Sequence, residues 1–547
     1  MARLIFYFCL LGVMTRGLAQ AEDQQHVGSK TCFACHSSIY RSFLKTDMGR
    51  SMTLAGDLPN DGIPASAKIP APDGKRVFEV AHDETGWTQT ETQEGVFRNE
   101  QKLAYVVGSG ANGRTFLVRR GNYLLQAPLS FYSNTGKWDL SPGFEGADLG
   151  FNRPIAAQCI WCHSGRPQPV TNHSGEFLEP PFQELAIGCE SCHGPGGLHV
   201  RTAGKKVGAI VNPGKLPPRL AENICINCHQ TGDTRVLQPG KGYQDFRPGQ
   251  WLINTIAILK IPSKTDEQRA SDLLQHNSAM QASRCFRESG GKLSCMTCHD
   301  PHTQPRGAES AETFRGKCLQ CHTVQSCRAP LAVRKASEPP DNCIACHMPK
   351  RSVKEVSHSA LTNHRIPARA GEPAPVQNEN KMGDLVLVNQ PTGPPVPLPD
   401  LTLLRAYGEL AERAPEYQDL YAKLLDRLSK TASGEPVVQE ALGHKALTEA
   451  NYEEAVTHLT AALPLNEAIV YTDLSAALSH LGRLSEATEY LKKAAEIEPF
   501  NAVTQKTLIL NYVNLKRYSE AREAMVSYVD RFPADDFMRN MLARVSK

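Results

Sequence analysis

A mainly α-helical fold is predicted: a cofactor-packed module with a small inserted β-rich segment, followed by a C-terminal α-solenoid. Three observations carry this expectation. Fourteen of the seventeen cysteines fall into seven Cys-x-x-Cys-His motifs between residues 32 and 347; residues from about 65 to 150 alternate apolar and polar side chains; and beyond residue 400 helical positions recur roughly every 34 residues. At 547 residues the chain exceeds what one hydrophobic core organises, so several domains are expected. A formal net charge of +3 argues against a nucleic-acid interface, which needs a clustered basic face.

Met1, Ala2 and Arg3 precede an apolar run from Leu4 to Met14, and Ala19-Gln20-Ala21 supplies small residues for cleavage. This is the pattern of a secretory signal peptide over residues 1–21. The run is too short for the roughly twenty residues that span a bilayer. No later stretch is longer and as apolar, so the mature chain is expected to be soluble, periplasmic or otherwise exported, without a transmembrane segment.

The motifs read Cys32, Cys35, His36; Cys159, Cys162, His163; Cys189, Cys192, His193; Cys225, Cys228, His229; Cys295, Cys298, His299; Cys318, Cys321, His322; and Cys343, Cys346, His347. Two thiols three residues apart on a helical turn reach the two vinyl groups of one porphyrin, and the next residue sets an imidazole beneath the iron. Chance would supply roughly 0.02 such motifs in a chain of this composition. Structural zinc sites use the same side chains but do not require histidine directly after the second cysteine, and a disulfide framework has no such regularity. Seven covalent c-type haems are therefore expected, with the fourteen cysteines as attachment points and His36, His163, His193, His229, His299, His322 and His347 as proximal iron ligands. The haem segment is too short to build a conventional core around each porphyrin, so the haems are expected to serve as the core.

The expected organisation is a seven-haem domain over residues 22–367 with its β-rich insertion at about 65–150, a Pro-rich linker at 368–399, and a helical domain at 400–547. Strand signals include Arg76-Val77-Phe78-Glu79-Val80 and Thr115-Phe116-Leu117-Val118, the latter turning through Gly121-Asn122. Eight prolines between Pro367 and Pro399 suggest an extended, semi-rigid connection. With Ala455, Ala487 and Ala521 aligned, Leu442, Leu474 and Leu508 fall thirteen residues earlier, while Leu459, Leu491 and Met525 fall four later. Pro499 and Pro533 stand 34 residues apart. This resembles the tetratricopeptide repeat, although the first repeat is two residues short after Ala462. The resemblance implies a solenoid whose concave face binds proteins. His444, His458 and His480 in this part are expected to be surface or packing residues.

The haem segment resembles the multihaem family that includes the nitrifiers' tetrahaem cytochrome c, distantly related to hydroxylamine oxidoreductase and pentahaem nitrite reductase. The likeness covers roughly residues 27–367. It is carried by Val27-Gly28-Ser29, by CESCHGPGGLH from Cys189 to His199, by CMTCHDPH from Cys295 to His302, and by CIACHMP from Cys343 to Pro349 with His358 and His364 beyond it. The resemblance implies haems with two axial histidines, the second drawn from elsewhere in the chain. It makes His199, His276, His302, His358 and His364 candidate distal ligands, with His173 a further one. His26 and His82 are expected on loops facing water. For the first haem the family often places a histidine or methionine about a dozen residues after the motif, which singles out Met48; the same residue also suits packing as an adaptable apolar side chain.

Cys285 and Cys327 remain after signal removal, an even number in an oxidising compartment, and form the candidate disulfide. The expected function is electron transfer through seven haems, with the repeat domain docking redox partner proteins and no catalytic residue assigned. The alternative is a multihaem reductase of a small nitrogen or sulfur oxyanion at one open-coordinate haem. Pentahaem nitrite reductases commonly carry a lysine-terminated motif at the catalytic haem, whereas every motif here ends in histidine.

Overall fold

The computed structural model describes residues 25–59, 62–146, 149–230, 232–262, 276–350, 362–369, 372, 381–382, 385–392 and 396–545. The signal segment at 1–21 and the candidate ligand His358 lie outside the described residues. The chain groups into two compact units. One holds the chain up to Arg50, Ser164–Arg166 and Ala186–Leu398; the other holds Ser51–His163, Pro167–Leu185 and Pro399–Lys547.

The second unit corrects the expected fold class. Its β structure is not a small insertion: strands β1 (Met52–Leu54), β2 (Ser66–Pro70), β3 (Val77–Asp83), β4 (Gly86–Gln93), β5 (Phe97–Val107), β6 (Gly113–Arg120), β7 (Tyr123–Gln126), β8 (Leu129–Tyr132), β9 (Lys137–Leu140) and β10 (Arg153–Pro154) form one ten-stranded sheet. Its main path runs β10-β7-β6-β5-β4-β3-β2, with β1 on β5, β8 on β6 and β9 on β8, all antiparallel. With 45% helix and 18% strand the chain is mixed α and β, not mainly α.

The physical reason lies in β6, where both faces are buried. Phe116 and Val118 enter a core with Phe78, Val80, Trp87, Leu125, Phe131, Trp138 and Phe151, while Leu117 between them enters another with Met52, Tyr105, Leu124, Ile160, Phe177 and Phe182. A sheet covered on both sides carries its own apolar core and needs no cofactor to hold it. The two-residue Gly121-Asn122 turn pairs Arg120 with Tyr123 and sets the β6–β7 register.

Nine further helices of this unit lie among the described residues beyond Pro399, beginning with Asp400–Ala411 and Glu416–Thr431. Pro436–Thr448, Tyr452–Ala462, Ala468–His480, Leu484–Ile497, Ala502–Asn514, Tyr518–Arg531 and Asp536–Val545 follow, each packed on the next. Ala455, Ala487 and Ala521 are buried where neighbouring helices cross, with Leu459, Leu491 and Met525 one turn later. The short first repeat is accommodated by a 3-10 turn at Leu463–Leu465, ended by Asn466 in the left-handed conformation (φ 52°). These helices also meet the sheet: Phe500 packs against its core and lies 5.3 Å from the Tyr123 ring, and the Asn152 side-chain amide donates to the Arg531 carbonyl at 2.7 Å.

The first unit is assembled from short helices around a four-stranded sheet of β11 (Thr234–Leu237), β12 (Ile256–Lys260), β14 (Leu385–Leu387) and β13 (Lys381–Met382). Part of the expected linker is thus a buried strand. Leu385 and Leu387 are covered, and Asn389 both accepts from the Ile258 amide at 2.9 Å and donates to the Ile256 carbonyl at 2.7 Å. Beyond this sheet the unit is poor in apolar core. Helices Cys295–Cys298, Gly307–Cys318, Leu331–Lys335 and Cys343–His347 bury Ala311 alone.

Candidate haem sites

Each attachment motif lies on a helix or begins within its last turn. The helices are Ser29–Phe43, which kinks at His36 (φ −118°, ψ 39°), Ala157–Trp161, Glu190–His193, Pro218–His229, Cys295–Cys298, Gly307–Cys318 and Cys343–His347. The second motif belongs to the unit of the large sheet: Ile160, between its cysteines, is buried against Leu117 and Leu124, and the Ser51 hydroxyl donates to the His163 carbonyl at 2.8 Å. The other six motifs lie in the first unit.

Two imidazoles on opposite sides of one iron need metal–nitrogen bonds of about 2 Å each plus about 1 Å from each nitrogen to its ring centre, so their ring centres stand roughly 6 Å apart. Among the described residues three pairs stand at this span. His36 and His199 are 6.3 Å apart with planes 18° from parallel; His193 and His302 are 6.1 Å apart at 17°; His299 and His364 are 6.2 Å apart at 31°. His229 meets His276 at 5.2 Å, and His276 in turn meets His364 at 4.6 Å. The donor set therefore fits haem: each of these four attachment-motif histidines has a second imidazole, distant in sequence, brought up to it.

A metal-bound imidazole usually gives its other nitrogen to an acceptor, which fixes ring orientation. His193 Nδ1 lies 2.8 Å from the Val211 carbonyl, His347 Nδ1 2.8 Å from the Pro367 carbonyl and His364 Nδ1 2.9 Å from the Thr362 carbonyl. His302 Nδ1 is 3.2 Å from Asp300 Oδ1. In each case Nε2 is left for iron. Burial, reinforced by neighbouring imidazoles, holds His276 down to about 3 and His299 down to about 4 and lowers His193 and His229, while burial lowers His364 against the opposing bond to the Thr362 carbonyl. These rings are neutral at pH 7 and keep the lone pair that ligation requires.

The remaining candidates are placed differently. Met48 is half-buried in the turn after helix Ser29–Phe43, and the ring brought up to His36 is that of His199. His173 shares a unit with His163; its Nδ1 lies 2.6 Å from Glu176, which also accepts from the Tyr123 hydroxyl at 3.2 Å. His322 is exposed. Cys285 and Cys327 are both free thiols, Cys285 half-buried and Cys327 exposed. His82 is not a loop residue but pairs with Trp87 across β3 and β4, ring centres 4.3 Å apart. His26 is 15% exposed beside Glu190 rather than facing water. In the helical repeats His444 meets Asp473, His458 meets Gln439, and His480 stacks on Tyr452.

The chain is similar, over part of its length, to a multihaem cytochrome. It is 22% identical over 226 residues to the multiheme cytochrome MtrA of Shewanella baltica, a match that takes in 40% of this chain and 60% of that one. No family model matches. Solved structures similar to this chain include MamA from Desulfovibrio magneticus RS-1, 19% identical with a TM-score of 0.22 over 25% of this chain and 78% of that one. Another is the APC/C hetero-tetramer Cut9-Hcn1, 17% identical with a TM-score of 0.24 over 27% of this chain and 30% of that one. Among the described residues no helix is long and apolar enough to cross a membrane.

Glu190, which no motif role marks in the sequence, stands inside the third attachment motif and is 4% exposed. The available signal was a lone carboxylate between two attachment cysteines, in a segment whose other charged residues lie outside the motifs.

Proposed function

We propose that this chain is an exported electron-transfer protein carrying seven covalent haems, with its helical repeats docking a redox partner protein. The observation that carries the reading is the approach of attachment-motif histidines to second histidines at 6.1–6.3 Å, the span of two axial ligands. When bound, each haem supplies an iron that alternates between ferric and ferrous. The chain's own residues then decide what the iron can do. Val211, Asp300 and Thr362 fix the ring orientations of His193, His302 and His364 through Nδ1. At those sites the second imidazole would fill the position that a small substrate needs, which favours electron passage over catalysis. The rings of His229, His276, His364 and His299 follow one another at 5.2, 4.6 and 6.2 Å, which gathers the candidate ligands of the fourth and fifth motifs into one cluster. The similarity to a multihaem cytochrome supports the reading, and the signal-like N-terminus supports export.

Holoprotein matured by a cytochrome c assembly system is expected to contain seven haems per chain by haem-to-protein ratio, almost entirely low-spin when oxidised, and to bind less than one carbon monoxide per chain when reduced. His302→Ala is expected to convert one haem to the high-spin form. Four or five haems per chain would refute the motif reading. A stoichiometric carbon monoxide adduct in the unaltered protein, with nitrite or hydroxylamine turnover of roughly one per second or faster, would refute electron transfer in favour of the reductase.

A further inference from the structure

The Glu190 carboxylate is nearly sealed from solvent, its side chain 2% exposed, and it is surrounded by donors from two segments, one 162–163 residues away along the chain and one six residues on. Val27 N donates to Oε1 at 3.0 Å and Oε2 at 3.1 Å, Gly28 N donates to Oε2 at 2.8 Å, and Gly196 N donates to Oε1 at 2.7 Å. His26 Nδ1 lies 3.6 Å from Oε1. Two further bonds run between the same segments: Cys189 N donates to Ser29 Oγ at 2.7 Å and Gly197 N to the Gln25 carbonyl at 2.9 Å. Val27 and Gly28 lead directly into helix Ser29–Phe43, which carries His36; Gly196 leads directly into helix Gly197–Arg201, which carries His199. Gly28 takes a φ of 78° and ψ of 147°, a conformation open essentially to glycine alone, and in it presents its amide to the carboxylate. At Gly196 a Cβ would stand 3.1 Å from Val27 Cγ2 and 3.3 Å from Glu190 Oε1, so the approach is already tight.

A buried carboxylate with amide donors from two sides is a strong, directional tie, because each bond is charge-assisted and losing the acceptor strands several buried donors at once. Here it joins the entry of the helix that carries His36 to the entry of the helix that carries His199. We infer that Glu190 is a positioning residue: by holding the amides of Val27, Gly28 and Gly196 on one carboxylate it seats His199 opposite His36, and so decides whether that site offers iron two histidines or one. The inference rests on the reading of His36 and His199 as an axial pair.

The test uses full-length holoprotein with Glu190→Ala, His199→Ala and the double variant, read by ferric spin state and by carbon monoxide bound per chain after reduction. Glu190→Ala is expected to turn one haem high-spin and to add up to one carbon monoxide per chain, as His199→Ala does. The double variant adds nothing further, and millimolar imidazole restores the low-spin signal of Glu190→Ala. Glu190→Gln keeps one carbonyl acceptor and falls between wild type and Glu190→Ala; it decides the matter if the alanine variant does not accumulate with haem. Unchanged spin state in both Glu190 variants overturns the inference, as does a loss spread over several haems that imidazole leaves uncorrected. An unchanged spin state in His199→Ala instead removes the axial pair itself, and the positioning role with it.

Discussion

The Glu190 tie has a pH signature that can be worked out in advance. Burial alone pushes its carboxyl up, but the His26 imidazole and the amides of Gly196, Val27 and Gly28 outweigh it and pull the value from 4.5 down to about 2. A carboxyl depressed in the folded state contributes stability that is fully present above its unfolded value and is lost as pH falls through the folded one, so the window is pH 4.5 down to about 2. At 1.36 kcal/mol per unit, a depression of about two and a half units is worth about 3 kcal/mol. Glu190→Gln mimics the uncharged carboxyl at every pH. Denaturant unfolding of both holoproteins, followed at the Soret band, is expected to show the variant less stable by about 3 kcal/mol at pH 7, with the gap closing toward zero near pH 2. Other groups titrate over this range in both proteins alike, so the difference isolates Glu190. A gap that is already below about 0.5 kcal/mol at pH 7, or that stays constant down to pH 2, would refute the argument.

Two further expectations concern the unit built on the large sheet. Arg76 and Glu91 form an ion pair with each side chain 2% exposed, and Arg76 also bonds Asp73 at 2.7 Å; Glu91→Ala leaves a buried guanidinium short of a partner and is expected to cost about 3–5 kcal/mol, seen in the unfolding transition of Trp87 and Trp138 fluorescence. At Gly443 in helix Pro436–Thr448 a Cβ would stand 2.5 Å from Leu459 Cγ and 3.1 Å from Leu459 N, so Gly443→Ala overpacks the crossing by about 1–3 kcal/mol against a helix-propensity gain of about 1. The net loss should appear as a lowered helical melting transition, and adding Leu459→Ala should cost less than the sum of the single changes.

What the sequence determined by itself is chemistry written within a few residues. Two thiols and an imidazole spanning five positions mark a haem attachment wherever they fall, because their spacing is local to one helical turn, and the recurrence of Ala455, Ala487 and Ala521 at 32 and then 34 residues marks stacked helix pairs, because each crossing needs a small residue. The alternation around Phe116–Val118 announced strands but not their number. Whether a strand is one of a few or of ten depends on what covers its second face, and here that cover comes from Ile160, Phe177 and Phe182, beyond the strands themselves. Partnering of histidines was likewise beyond local reading. Met48 is twelve residues from His36 and His199 is 163, yet the fold brings the His199 ring to His36, since which rings meet is set by where the chain returns in space. That return is held by a carboxylate, Glu190, whose partners are backbone amides; any residue type supplies an amide, so no sequence pattern marks them, and only the tertiary structure gathers them around one buried charge.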